Sequence, residues 1–427
     1  MGQPCRVGQD IGNGSGDHRG SLPFAPTAGK QRIMTDQHPT AVAANRKGMA
    51  ALQEGNAAAA VAAFWEAAAA DPQSGALRRN LASAHRAAGD DDAELAALDA
   101  ALAIDQLDLV AWMRKAELHQ RRGENGAAMA AWHGALSLAE PLKPWSGPLA
   151  TALDAGAAFQ AQAVAAIAAA VDRQVLARRG DLDRTETRRF DAFVDIALGR
   201  RRRFANECAG LCYPFLPADE FFDDRHFPWF AELASATDAI RAELRGLLDD
   251  PGEHLRPYVR LDQGSPGNPW SGLDQSLDWG ACFLYEYGEP NQAVIDRCPA
   301  TAAAMRKVPG AELIGRAPNI FFSILKPKTR IPPHTGVTNT RAIIHLPLIV
   351  PDGCGFRVGG ETRSWIEGRP FAFDDTIEHE AWNDSDALRA VLIFDIWNPH
   401  LSQREQQLVA AYYQAADSSG YSPLRGD

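Results

Sequence analysis

Cysteine is scarce in this chain, with six in 427 residues, at positions 5, 208, 212, 282, 298 and 354. So few thiols over this length exclude a disulfide scaffold and favour reduced cysteines in a cytoplasmic setting. Cys208 and Cys212 have the spacing of a metal pair, but no second pair or nearby histidine completes it, and small buried hydrophobes are the plainer reading. Positive charge is also short: 43 Lys and Arg stand against 54 Asp and Glu, a net charge of −11. That argues against a nucleic-acid or anionic-membrane partner and says nothing of fold. No uninterrupted run of about eighteen apolar residues occurs, so no transmembrane helix is expected. The nearest stretch, Ala163 to Val171, is short and alanine-dominated. Residues 1–38 lack the apolar core of a secretory signal and are expected to form a disordered N-terminal segment. Met34 begins a more ordinary protein start, and what precedes it is either disordered or a start-site artefact. Apolar residues, by contrast, are plentiful at 46%, enough for two to four domains with cores of their own.

From Ala41 to Glu140 the chain repeats itself. Gly55, Gly89 and Gly123 recur every 34 residues, as do Ala67, Ala101 and Ala135. Phe64, Leu98 and Trp132 mark a bulky position at the same interval, and Gly48, Ala82 and Ala116 a small one. Small residues let paired helices approach, bulky ones fill the groove, and glycine turns the chain between helices without Cβ strain. This pattern resembles tetratricopeptide repeats, three of them over residues 39–141, the minimum for a stacked core. A generic alanine-rich bundle is the alternative. Residues 142–205 are expected to be a helical linker or cap. It breaks at Leu142–Pro148, with helices over 150–179 and 185–199 and a turn at 180–183. The four arginines from Arg200 to Arg203 read as a solvated helix end.

Beyond this the composition changes. An aromatic, proline-punctuated stretch, Tyr213 to Phe222 and Phe227 to Phe230, is expected as an extended arm ahead of a helix over 231–248. Gly264 to Gly272 has loop composition and is either a lid or substrate loop or a disordered connector. From Trp279 the pattern turns to short strand-like runs with turn signals between them, Gly359-Gly360 being a hairpin signal. Together they suggest an antiparallel sandwich or barrel. A C-terminal helix and tail fill 406–427.

Within this part, two histidines lie beside strand-like runs: His334, in Pro333-His334-Thr-Gly-Val-Thr-Asn339, and His379, in Phe373-Asp-Asp-Thr-Ile-Glu-His379-Glu-Ala-Trp382. Imidazole suits Fe(II) and leaves coordination positions open. Arg389 follows ten residues after His379 on a strand, among apolar neighbours, where an unpaired guanidinium is expensive and a carboxylate ligand is favoured. An internal ion pair to Asp374 or Asp375 is the competing reading for Arg389. Alternation places Arg341, Ile343 and His345 on one strand face.

These motifs, with His345-Leu-Pro-Leu348, resemble the aspartyl/asparaginyl β-hydroxylase family of Fe(II)- and 2-oxoglutarate-dependent dioxygenases, over about Trp279 to Trp397. The resemblance implies an α+β multidomain chain: an all-α tetratricopeptide solenoid followed by a double-stranded β-helix, jelly-roll or cupin-like, over 206–405. It implies His334 and His379 as iron ligands and Ser323, His345 and Arg389 as contacts for 2-oxoglutarate. Two departures follow. Where many such dioxygenases carry a third, carboxylate ligand stands Gly336; the family resembled also uses two histidines, with water in the vacant position, and Asp375 is expected to hold that water. Where some members carry an arginine for the oxo-acid stands Ile343, and Arg341 on the same face is the candidate substitute. The implied chemistry uses Fe(II), 2-oxoglutarate and O2 to hydroxylate the β-carbon of an Asp or Asn residue in a polypeptide recruited by the repeats. A hydroxylase of a small molecule or lipid, and a non-catalytic scaffold with a vestigial barrel, are the rival readings.

Overall fold

A computed structural model describes residues 38–179, 182, 184–262, 264 and 266–420. The expected disordered segment and the C-terminal tail thus fall outside the described residues, apart from His38 and up to Gly420. The chain divides into two compact units, one within His18–Arg200 and one from Arg201 onward.

The first unit is helical: α1 (Pro39–Gln53), α2 (Ala57–Ala70), α3 (Gly75–Ala88), α4 (Asp91–Ile104), α5 (Leu109–Arg121), α6 (Asn125–Ala139), α7 (Gly147–Arg179) and α8 (Arg184–Ala197). The 34-residue period is physical. Gly55, Gly89 and Gly123 follow α1, α3 and α5 with φ of +76°, +74° and +71°, a left-handed conformation that a side chain would strain. Asn56, Ser74, Asp90 and Asp108 cap α2 to α5 with side-chain oxygens, each replacing a partner that the first helical turn lacks. Ala67, Ala101 and Ala135 are fully buried. At Gly48 a Cβ would lie 2.7 Å from the Phe64 ring, so the small and bulky positions of the repeat meet. The helical solenoid expected from the period is the fold of this unit.

One helix, α7, bears on the expectation that no segment crosses a membrane. Its residues Gly147–Val175 are long and apolar enough, by length and composition, to cross a membrane. Alanine is the cause, because many weakly apolar methyls raise the average without any run of large apolar side chains. The same helix seats the last repeat, since Leu153 is fully buried beside Trp132.

The second unit contains α9 (Phe230–Ser235), α10 (Thr237–Asp249), β1 (Arg256–Pro257), β2 (Trp279–Glu286), β3 (Glu289–Pro290), α11 (Gln292–Arg297), α12 (Pro299–Met305), β4 (Ile320–Leu325), β5 (Thr329–His334), β6 (Arg341–Ile349), β7 (Cys354–Val358), β8 (Glu361–Arg363), β9 (Phe371–Phe373), β10 (His379–Asn383), β11 (Arg389–Trp397) and α13 (Gln403–Ser418). All strand pairs are antiparallel. A seven-stranded sheet runs β1-β2-β4-β11-β6-β9, with β3 beside β2, and a four-stranded sheet runs β5-β10-β7-β8.

The larger sheet is buried on both faces, which is why β4, β6 and β11 read as nearly continuous apolar runs. Phe322, Ile324, Ile344, Leu346, Leu392 and Phe394 pack with Ile240 and Leu244 of α10. The alternate residues Leu325 and Val391 face Ile331, Phe356, Val358 and Ala381 of the smaller sheet. This second interior holds the candidate site. The hairpin expected at Gly359-Gly360 joins β7 to β8, with Gly359 at φ +55°. The C-terminal helix, set apart in the sequence, is part of this unit: Tyr413 of α13 is buried with Ala311, Leu313 and Ala317.

A substitution tests the close fit between α6 and α7. A Cβ on Gly156 would stand 2.3 Å from Trp132 Cε3, and Trp132 is held by its own bond from Nε1 to Gln120 Oε1 (2.7 Å). Gly156→Ala should destabilise the helical unit by about 1–3 kcal/mol, the usual range for overpacking. Thermal denaturation followed by circular dichroism reads this directly, and an unchanged melting curve would contradict the tight contact.

Candidate active site

His334 ends β5 and His379 begins β10, and the two are register partners across the ladder. They therefore lie within the strand ends themselves, with ring centroids 4.0 Å apart. Each ring is held the same way. His334 Nδ1 lies 2.8 Å from the carbonyl of Pro332, and His379 Nδ1 lies 3.0 Å from that of Ile377. A proton on Nδ1 satisfies each carbonyl and leaves the lone pair on Nε2, the tautomer that ligates a metal. Burial pushes the His334 pKa down to about 4 and that of His379 well below its ordinary value, the latter also through its neighbour His334. Both rings are neutral at pH 7.

The loops carrying the pair are tied together. Gly336 N donates to Asp375 O (2.6 Å), and Glu207, Ala209 and Gly210 donate from their backbone to Thr376, Gly336 and Val337. The segment just ahead of the expected arm is thus a strap over both histidine loops. Gly336 has a steric reason: a Cβ there would stand 2.1 Å from Asp375 Oδ2. The Asp375 carboxyl fills the space that a longer residue at 336 would need. Burial, then the charge of Asp374, pushes its pKa up to about 7, and its Oδ1 has no hydrogen-bond partner.

Deeper in the same interior lies Arg389, only 2% exposed. The ion pair to Asp374 or Asp375 is not made. Asp374 instead accepts from Thr376 and Asn206, and Asp375 lies against Gly336. Arg389 reaches Ser323 Oγ at 3.4 Å, which also accepts from Trp279 Nε1 at 3.1 Å. Its guanidinium lies 5.0 Å above the Trp365 ring, and its Nε has no partner. Burial lowers its pKa to about 10, so it remains a cation at pH 7. His345 is fully enclosed, its Nδ1 is also unpartnered, and burial holds its pKa well below the ordinary value. Phe356 and Phe373 touch both His345 and His379, which joins the histidine pair and the arginine pocket into one aromatic shell.

Arg341 requires a correction. It shares the inner face with His345 as alternation requires, but it is ion-paired with the buried Asp395 and also donates to the carbonyl of Arg316 (3.3 Å). Asp395 sits opposite Ile343 on the neighbouring strand, and its carboxylate pairs with the Arg341 charge. Asp395 is an ordinary strand residue by pattern, so only strand pairing reveals it.

Three tryptophans complete the site. Trp270, in the loop expected as lid or connector, is buried and meets the His334 ring edge-on at 4.8 Å. Trp279 stacks on Trp270 and on Tyr258. Trp365 stacks on His345, with centroids 5.4 Å apart and planes at 8°. None of the three belongs to a periodic pattern, so no signal in the chain singled them out.

Among the described residues no group of three or more His, Cys, Asp or Glu side chains is placed to hold a metal ion. What is present is two neutral imidazoles presenting Nε2, with the unpartnered Asp375 oxygen on an adjoining loop. That donor set fits a two-histidine centre completed by small molecules. Unpartnered atoms on Arg389 and His345 fit an anionic co-ligand.

Two outcomes follow. Gly336→Ala should displace the Asp375 carboxyl, lowering the melting temperature and weakening metal uptake in a titration. Gly336→Asp carries the same clash and should not bind metal more tightly than the parent; tighter binding would contradict the account of Gly336. The second concerns pH. A histidine whose folded pKa lies below its unfolded value of about 6.5 contributes stability above pH 6.5 and loses it as pH falls toward 4. Metal-free protein should therefore lose stability across that window, and His334→Phe should flatten the loss, as read by urea denaturation at a series of pH values. A His334 ring titrating near 6.5 by NMR would overturn the prediction.

Comparison with known proteins places this arrangement. Residues 234–399 match the family model described as Aspartyl/Asparaginyl beta-hydroxylase. The proteins named Aspartyl/asparaginyl beta-hydroxylase of Mus musculus and Homo sapiens are each 38% identical to this chain over 141 residues. That stretch is 33% of this chain but only 19% and 18% of those two proteins. The Ornithine lipid ester-linked acyl 2-hydroxylase of Rhizobium tropici is 34% identical over 196 residues, 45% of this chain and 66% of that protein. Among solved structures, the TPR2B domain of yeast Sti1 aligns with 29% of this chain and 97% of its own, at 20% identity and a TM-score of 0.27. Over residues 234–399, the chain is thus similar to the aspartyl/asparaginyl β-hydroxylase family.

Proposed function

We propose that the chain is an Fe(II)- and 2-oxoglutarate-dependent dioxygenase that hydroxylates the β-carbon of an Asp or Asn residue in a polypeptide. The observation that carries this reading is the pairing, inside one aromatic shell, of two neutral histidines with a buried arginine that no carboxylate among the described residues satisfies. His334 and His379 would hold iron through Nε2. Arg389, with Ser323 and His345, would hold a carboxylate of 2-oxoglutarate, since a planar guanidinium grips a carboxylate through two parallel bonds. Iron, when bound, supplies the redox chemistry by which 2-oxoglutarate and O2 become succinate and CO2 while one oxygen atom enters a C–H bond.

The residues of the chain supply orientation and dryness. The carbonyls of Pro332 and Ile377 fix both imidazoles in one tautomer. Trp270, Phe356 and Phe373 surround the two rings with apolar surface, which strengthens electrostatic contacts by excluding water. Asp375, with its pKa near 7, could accept a proton or a hydrogen bond from a water at the position Gly336 leaves open. The three repeats would recruit the polypeptide, because stacked helix pairs present an extended surface suited to peptides. A cytoplasmic setting agrees with the free thiols.

A second reading is supported by the 34% identity to an acyl 2-hydroxylase: the acceptor C–H bond would then lie on a lipid acyl chain. The same assay decides. Iron content and succinate formation from 2-oxoglutarate are measured with the full chain, alone, with Asp- and Asn-containing peptides, and with acylated lipids. Coupled turnover with a peptide supports the first reading and with a lipid the second. The absence of both iron binding and succinate formation would overturn either, leaving a scaffold.

In the same assay, His334→Ala and His379→Ala should each abolish 2-oxoglutarate turnover and stoichiometric iron binding. Arg389→Ala should raise the apparent Michaelis constant for 2-oxoglutarate, costing about 2–4 kcal/mol in binding, as for loss of a buried charge-assisted partner. An unchanged constant would show that Arg389 is structural.

A further inference from the structure

Trp365 lies between β8 and β9, is 8% exposed, and belongs to no sequence motif described above. Three side chains form a column in the interior: the Arg389 guanidinium over the Trp365 ring, and the Trp365 ring stacked on His345. Each of the three carries a buried polar atom without a hydrogen-bond partner, namely Arg389 Nε, Trp365 Nε1 and His345 Nδ1. A buried indole N–H ordinarily finds an acceptor, and leaving it without one costs about 1–3 kcal/mol. If the tryptophan served packing alone, phenylalanine would fill much of the same space without that cost. Two of the three groups are obligate donors, one a cation, so the species that satisfies them is an anionic acceptor.

We propose that the indole N–H of Trp365 binds the same 2-oxoglutarate carboxylate as Arg389, supplying a donor in a pocket where the strand offers Ile343 and where Arg341 is taken by Asp395. The inference rests on the reading that this interior holds 2-oxoglutarate. It extends that reading to a residue outside the histidine, serine and arginine motifs. An N–H donor beside a guanidinium favours a planar carboxylate: the guanidinium takes both oxygens along its edge, and the indole adds a bond from one side. Specificity among oxo-acids follows, because an acid too short to reach the column loses Arg389 and Trp365 together.

The test uses the full chain labelled with 15N at tryptophan, whose ten indoles give resolvable N–H signals. Zinc replaces iron, so that no turnover occurs. The signal missing from Trp365→Phe identifies residue 365. On titration with 2-oxoglutarate this signal should move downfield and saturate with the binding isotherm. Trp365→Phe should raise the dissociation constant about ten-fold, and with iron the effect should fall on KM rather than on kcat. If wild-type protein shows no saturable binding of 2-oxoglutarate, the oxo-acid site itself is wrong. If binding is saturable but the Trp365 signal stays still and the Phe variant binds as well as wild type, only the role of Trp365 is overturned. Trp365→Tyr, which keeps a large ring and lacks the indole N–H, carries the comparison if the Phe variant does not fold.

Discussion

A cation with no counter-charge lies at the centre of the second unit. Arg389 is enclosed between two sheets, donates a long bond to Ser323, and has no acidic partner among the described residues. A guanidinium in such a place raises the free energy of the fold unless something anionic joins it. The surroundings keep it in place rather than neutralise it. Ser323 is fixed by Trp279, and Trp365 lies beneath the guanidinium. Among the described residues, no carboxylate reaches this arginine, and that is what supports reading it as a binding group.

The rigidity this requires comes from the larger sheet. With α10, α11 and α12 packed on one face and the smaller sheet on the other, β4, β6 and β11 cannot slip by one residue without exchanging Arg389, Ser323 and His345 for Ala390, Phe322 and Ile344. The histidine pair is built more locally. Two strand ends meet in register, two carbonyls orient two rings, and a strap from the segment ahead of the arm ties the adjoining loops. Gly336 and Asp375 then interlock, so the position without a ligand is a consequence of packing as much as of residue choice.

The helical unit follows a different logic. Its stability is distributed over repeats that each contact their neighbours, with alanine and glycine allowing close approach and one large side chain per repeat filling the gap. Such a unit presents surface rather than enclosing a pocket.

Much was legible in the order of residues alone. Repeats leave a period, so Gly55, Gly89 and Gly123 announced the helical turns. Strand alternation put His345 with Ile343 and Arg389 with Val391 on faces that the sheets share, and an arginine among apolar neighbours suggested its own ligand. Local sequence determined these because each depends on spacing along one element. Tertiary structure decided the rest. Arg341 passed the test of alternation and failed that of pairing, since Asp395 reaches it from another strand. Asp375 proved to fill the space above Gly336 only once two loops met. Trp270, Trp279 and Trp365 carry no period and no motif, and what they do is set by which rings lie within a few ångströms after folding. Spacing along a chain fixes which face a side chain takes, whereas a partner from a distant element fixes whether its charge or hydrogen bond is left to spend on a ligand.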